Sequence, residues 1–423
     1  MAETVRLRLG NAELIGTCEQ GVRRFAGIRY ARAPVGDLRF SPPVALVPEG
    51  LVDAREPGPV APQTASLLRN VIGDMRARQS EDCLHLTVWA PERHDRALPV
   101  VVWIHGGAWQ SGGSSLPWYD GAVLCAAGGV VVVSVNYRLG PLGWLCADGI
   151  APNLGLQDLC LAIRWVTDHI GAFGGDPASL TLMGQSAGAV NVAGLLAAGV
   201  PAARVILQSG PFGRCPRRAE VAKDIGNTLL RAAGARTADE ARRLPVEALL
   251  QAQQATEVRR SLAAAGDGHG LFCPVSDGGI LPDDFSWISV ADKADVLVGT
   301  NRDEMLAFPG HVPGDEAVRA GNALFFEPSR QWATAARAAG RRAWEYRFDV
   351  APSDAIGACH CVELPFVFGN WSAFAQAPML QGLDSAGAIP VSQRVQQSWL
   401  AFMRGEAPEW PASPYLQAFN IQR

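Results

Sequence analysis

The stretch Ser179-Leu180-Thr181-Leu182-Met183-Gly184-Gln185-Ser186-Ala187-Gly188 decides the reading of the fold. Ser179 to Met183 is a short apolar run with the length of a buried strand. Ala187 to Ala198, rich in Ala, Leu and Val, reads as the helix that follows it. The five residues Gly184 to Gly188 between them spell G-x-S-x-G. That pattern is weak alone, but at a strand-to-helix junction its glycines admit the sharp turn that presents the Ser186 hydroxyl at the end of a sheet. The backbone N–H after the serine then faces a reacting carbonyl. The bland alternative is a helix N-cap serine.

Working outward, Leu84 to Trp89 alternates as a strand does, while Pro99 to Ile104 and Gly129 to Asn136 are continuous runs rich in β-branched residues. Such runs belong to central strands covered on both faces. Leu159, Ile163, Val166 and Ile170 fall at helical spacing within Leu156 to Phe173, and Arg204 to Leu207 opens another strand. The rhythm predicts an α/β fold with a doubly wound, mostly parallel sheet, whose ligands bind at the carboxyl ends of strands. Further strands are predicted at Asp295 to Gly299 and Trp344 to Phe348, with helices over Arg218 to Ala233, Thr237 to Thr256, Glu327 to Ala339 and Ser392 to Gly405. A single domain over 1–423 is expected, with helical cap segments at about 215–270 and 305–340, because no linker or low-complexity stretch divides the chain.

His105-Gly106-Gly107-Ala108-Trp109 follows directly on the predicted strand ending at Ile104. Small residues there let backbone amides approach a developing oxyanion, although a plain glycine turn would look the same. In folds of this kind a nucleophilic serine is followed along the chain by an acid and then by a histidine. Glu304 lies just past the strand Asp295 to Gly299, with Asp303 as its competitor. Only His311 and His360 come after them, and His311 is too local to complete the site, which leaves His360.

Composition narrows the alternatives. The 423 residues are 48% hydrophobic with 45 Gly and 29 Pro, enough for a large core with many turns. A net charge of −4 with scattered Lys and Arg excludes a phosphate-binding stripe, so no nucleic-acid partner is expected. Met1 to Gly10 alternates Val5, Leu7 and Leu9 against Arg6 and Arg8, which is a strand pattern and not a signal-peptide core. No apolar run is long enough to span a bilayer. The expected compartment is the cytoplasm, with no membrane partner. The nine cysteines form no C-x-x-C pair. Cys359 and Cys361 flank His360, but in an extended segment they face away from it, so packing thiols are expected and no metal.

The sequence resembles the type B carboxylesterases, the family of the cholinesterases. The matching segments are Phe25 to Pro43 (FAGIRYARAPVGDLRFSPP), Ser80 to Leu86 (SEDCLHL), Trp103 to Gly113, Val132 to Leu145, Asn153 to Gly188, Leu207 to Gly210, Gly299 to Glu304, and Cys359 to Gly369. The resemblance implies an α/β-hydrolase fold with Ser186 as nucleophile, Glu304 as acid in place of the commoner Asp, and His360 as base. It implies an oxyanion hole made by the amides of Gly107, Ala108 and Ala187, and a structural ion pair between Arg39 and Glu81. Ala108 stands where many relatives have Gly. Ala61-Pro62-Gln63 replaces the C-P-Q segment of secreted relatives, so the disulfide to Cys83 cannot form.

The expected chemistry is hydrolysis of a small-molecule ester through an acyl-enzyme, with neither metal nor organic cofactor, by a monomer or weak homo-oligomer. An amidase or carbamate hydrolase would use the same machinery, and the family also contains adhesion proteins that lack the catalytic residues. Trp109, Phe212, Leu271, Phe272, Phe366 and Phe368 are the apolar candidates for a pocket wall, each also readable as core. Met305 to Phe326, with Pro309, Gly310, Pro313 and Gly314, reads as a loop and predicts an open mouth.

Overall fold

The computed structural model describes residues 2–74 and 77–421. Met1, the first residue of the first predicted strand, lies outside the described residues. The chain starts with β1 (Glu3–Leu9), β2 (Ala12–Glu19), β3 (Val22–Arg29) and the short β4 (Gly50–Asp53). It continues through β5 (His85–Pro91), β6 (Leu98–Ile104), β7 (Val131–Val135), β8 (Gly175–Gln185) and β9 (Arg204–Gln208). A separate two-stranded ladder joins β10 (Arg217–Arg218) to β11 (Val275–Ser276). The large sheet is completed by β12 (Asp295–Asn301), β13 (Ala343–Phe348) and β14 (Leu416–Phe419).

Its strand order is β1-β2-β3-β5-β7-β6-β8-β9-β12-β13-β14, with β4 beside β2. The pairs from β1 to β7 are antiparallel, and all pairs from β7 through β14 are parallel. In register, Val102 of β6 sits between Val133 of β7 and Leu182 of β8.

Period-two alternation divides each central strand between two cores. Val100, Val102 and Ile104 pack with Ile163, Val166 and Leu195 on one face. Val101 and Trp103 pack with Leu124, Phe366 and Trp399 on the other. Those partners lie on the helices Leu154–His169 and Ala187–Ala197 on the first side, and Ala122–Gly128, Leu364–Phe368 and Ser385–Met403 on the second. This is the doubly wound, mostly parallel sheet that the β-branched runs predicted, and the α/β-hydrolase fold that the resemblance implied.

Several helix predictions are corrected. Thr237 to Thr256 is broken into Ala238–Arg243 and Val246–Ala252, because Pro245 has no N–H with which to continue the first helix. The last long helix begins at Ser385, where the Asp384 carboxylate accepts from the N–H groups of Ala386 (3.0 Å) and Gly387 (3.2 Å). Met305 to Phe326 is not a loop: a 3₁₀ turn covers Glu304–Ala307, and from Asp315 the chain is helical through a π segment, Asn322–Phe326, into Glu327–Ala338. Pro309, Gly310, Pro313 and Gly314 all precede that helix, which starts immediately after Gly314.

Arg39 and Glu81 do pair, through Nε to Oε2 at 2.7 Å and a second contact between Nη2 and Oε1. Arg39 Nη1 also donates to the carbonyls of Leu244 (2.6 Å) and Arg242 (3.0 Å), so the pair ties the 238–252 helices to the N-terminal region. Cys83 is buried and unpaired.

Candidate active site

Strand β7 follows β6 on one side and β8 lies on the other, so the sheet changes direction at β6. Crevices open at such switch points, beyond the carboxyl ends of the strands. His105 to Trp109 leaves β6 there, and Ser186 leaves β8 beside it.

Ser186 has φ 56° and ψ −125°, a conformation rarely adopted by a residue with a Cβ. Its N–H donates to the Gln208 carbonyl of β9 at 2.8 Å, and its own carbonyl accepts from Ala189 at 3.0 Å. The glycines of the motif are required by close approach. A Cβ on Gly188 would lie 2.0 Å from the Ile104 carbonyl oxygen, and one on Gly184 would lie 2.4 Å from the Gly188 carbonyl. Removing those side chains lets the helix begin against the ends of β6 and β8.

Ala187 is the first residue of the helix Ala187–Ala197, where N–H groups have no intrahelical acceptor. Among the described residues, the N–H groups of Gly107 and Ala108 have no backbone acceptor. Ala108 (φ 52°) and Trp109 (φ 59°) are both left-handed, which holds this corner in an uncommon shape. Trp109 anchors it: the indole Nε1 donates to Asn191 Oδ1 at 2.8 Å, and the Trp109 carbonyl accepts from Gly140 at 2.7 Å.

His360 Nδ1 is 2.5 Å from Glu304 Oε2, and both side chains are buried. Glu304 Oε1 accepts from the Asn301 N–H at 2.8 Å, so both carboxylate oxygens are engaged. Asp303, the rival acid, instead accepts from the Ala358 N–H (2.8 Å) and pairs with Arg302 (2.8 Å). The His360 ring packs against both Phe308 and Phe325, with centroids 5.2 and 5.3 Å away. Gln185 Nε2 stands 3.2 Å from His360 Nε2 and 3.4 Å from Cys361 Sγ.

A pocket of about 260 Å³ opens on Ser186, Ala108 and Ala187. Of the predicted wall, Trp109 and Phe272 line it. The remaining four are corrected. Phe366 and Phe368 are buried in the opposite core, Phe366 against Phe348 and Phe368 against Trp103, because their short helix packs on the other face of the sheet. Phe212 is buried against Trp332. Leu271 faces a small cleft near Trp144 and Cys146. The wall is finished instead by Met305, Phe308, Leu324 and Phe325, from the segment read as a loop, and by Pro211, Arg214 and His269.

Glu363 was also missed, although it lies three residues beyond His360. It is buried, accepts from Asn301 Nδ2 (2.6 Å) and Gln208 Nε2 (3.3 Å), and its carboxyl is pushed up by burial and then by the Glu304 charge. Cys359 and Cys361 are buried as expected of packing thiols, but the segment is a turn and not extended, with Cys361 at φ 77°. Among the described residues no cluster of His, Cys, Asp and Glu could hold a metal ion, and no helix is long and apolar enough to cross a membrane.

This fold, with a serine on an elbow opening on a pocket, defines the α/β-hydrolase class. A carboxylesterase family model matches residues 3–319, and the chain belongs to that family, the type B carboxylesterases: it is a carboxylic ester hydrolase. It is 38% identical over 421 residues to a probable N-octanoylanthranilate hydrolase of Rhodococcus erythropolis, covering 92% of this chain and 90% of that one. It is 34% identical over 450 residues to para-nitrobenzyl esterase of Bacillus subtilis, covering 94% and 90%. A solved thermophilic PNB esterase superposes with a TM-score of 0.86 at 31% identity, covering 99% of this chain and 96% of that one.

Proposed function

We propose that the chain hydrolyses esters through an acyl-enzyme, with Ser186 as nucleophile, His360 as general base and Glu304 as the acid that orients it. The observation that carries this reading is the 2.5 Å contact of Glu304 with His360 Nδ1, beside an elbow serine that opens on the pocket. A proton on Nδ1 leaves Nε2 as the basic nitrogen. His360 takes the Ser186 proton, Ser186 attacks the ester carbonyl, and the amides of Gly107, Ala108 and Ala187 receive the oxyanion. His360 then protonates the departing alcohol and activates water to release the acid. For attack the Ser186 hydroxyl takes the place that Gln185 Nε2 holds at His360 Nε2, since catalytic hydrogen bonds commonly form only once substrate is bound.

The amide alternative keeps one support, since a relative at 38% identity is named for an N-acyl substrate. The one large sheet supports a single catalytic domain, and the nine unpaired cysteines support a reducing compartment such as the cytoplasm. The test is pre-steady-state turnover of a p-nitrophenyl ester. A burst of one p-nitrophenol per chain before the steady rate is expected; turnover without a burst, under conditions where deacylation is slow, contradicts a covalent route. Paired esters and anilides then rank the two bond types.

A further inference from the structure

We propose that the pocket selects esters carrying a carboxylate away from the scissile bond, and that Arg214 receives it. This rests on the esterase reading above and goes beyond it to a substrate class.

Arg214 lines the pocket that opens on Ser186, and neither Asp nor Glu is among the lining residues. Most of the wall is apolar, from Trp109, Phe272, Phe308 and Phe325. Asp267 is the carboxylate whose charge Arg214 feels, but that group is already committed. Its oxygens accept from Arg217 Nε at 2.7 Å and Arg217 Nη2 at 3.1 Å, and from the His269 N–H at 3.0 Å. Arg214 therefore enters no ion pair among the described residues, and the residue is exposed to solvent. Its guanidinium runs along Gly268, where an added Cβ would stand 3.5 Å from Nε.

His269 beside it does not double the charge. Burial lowers its pKa to about 4, with the charges of Arg217 and Arg214 adding to this and Asp267 opposing it. Near neutral pH it is a neutral hydrogen-bonding group. The pocket thus offers one uncompensated cation at its solvent-exposed rim, beside an apolar wall, and a planar guanidinium matches a carboxylate with two parallel hydrogen bonds. A neutral ester leaves that cation unpaired, whereas an ester with an apolar spacer and a terminal carboxylate fills both features.

The test compares p-nitrophenyl monoesters of dicarboxylic acids, from succinyl to suberyl, with neutral alkanoates of matched length, and adds phenyl esters bearing a carboxylate on the leaving group. At least one anionic ester is expected to exceed its neutral match by about tenfold in kcat/KM, the scale of a charged hydrogen bond. Arg214→Gln brings the anionic-to-neutral ratio of kcat/KM down toward one, whatever it does to the neutral ester by itself; Arg214→Lys, which keeps the charge, retains part of the ratio. Added salt lowers the rate with the anionic ester alone. If wild type turns over neutral esters but prefers no anionic one, or if Arg214→Gln lowers both kinds equally, this inference is overturned and the esterase reading stands. If no ester of either kind is turned over, the esterase reading falls, and this inference with it.

Discussion

Glu304 Oε2 meets His360 Nδ1 at 2.5 Å across 56 positions of sequence, while Asp303, one residue away, turns to the Ala358 N–H at 2.8 Å. Adjacent carboxylates are thus assigned to different partners by the 3₁₀ turn Glu304–Ala307, which directs one inward and leaves the other at the surface of the turn.

Glu304→Gln is accordingly expected to lower kcat by about 10³-fold or more with little change in KM, because an amide can no longer fix the imidazole tautomer or stabilise its cation. Asp303→Asn should leave kcat within a few-fold and cost about 1 kcal/mol of stability through its weakened bonds to Ala358 and Arg302. Steady-state kinetics and urea unfolding of both variants check this, and the reverse pattern would give the role to Asp303.

Gly188→Ala should remove about 3 kcal/mol of stability or more, since the new Cβ would lie 2.0 Å from the Ile104 carbonyl and 2.8 Å from that of His105. Gly171→Ala serves as the control. Nothing lies within 4 Å of a Cβ there, and a change within about 0.5 kcal/mol is expected. Equal unfolding midpoints for the two variants would refute the packing argument for the elbow glycines.

Burial lowers the His85 pKa from 6.5 to about 4, with Asp82 opposing the shift. As pH falls, the unfolded chain therefore takes up this proton first. The stability is fully present above the unfolded value of 6.5 and is lost as pH falls toward about 4. Buried His105, also lowered to about 4 by burial, acts in the same direction. His85→Gln should reduce the slope of unfolding free energy against pH in that window by at most one proton, roughly 1.4 kcal/mol per pH unit. Denaturant titrations at several pH values measure it, and an unchanged slope would show that His85 is not held neutral.

How legible each part was follows from what it packs against. β6, β7 and β8 could be read because strands covered on both faces are continuous apolar runs, and the elbow could be read because its glycines mark a close approach. Neighbouring Asp303 and Glu304 left the acid open, since only the turn decides which carboxylate points inward. Phe366 and Phe368 are apolar residues near His360, and nothing in their spacing shows that their helix lies on the far face of the sheet. Phe308, Leu324 and Phe325 were missed because Pro309, Gly310, Pro313 and Gly314 disguised the approach to a helix that begins at Asp315. Gln185 and Glu363 stood inside quoted motifs, but their partners, His360 and Asn301, are distant in the chain.

The central claim is that Ser186 forms the covalent bond, and the direct measurement is peptide mass mapping after reaction with a fluorophosphonate. One adduct per chain on the peptide containing Ser186 is expected, with loss of ester turnover in step with labelling and no adduct in Ser186→Ala. An adduct on Ser209 instead, or full labelling and turnover in Ser186→Ala, would contradict the account.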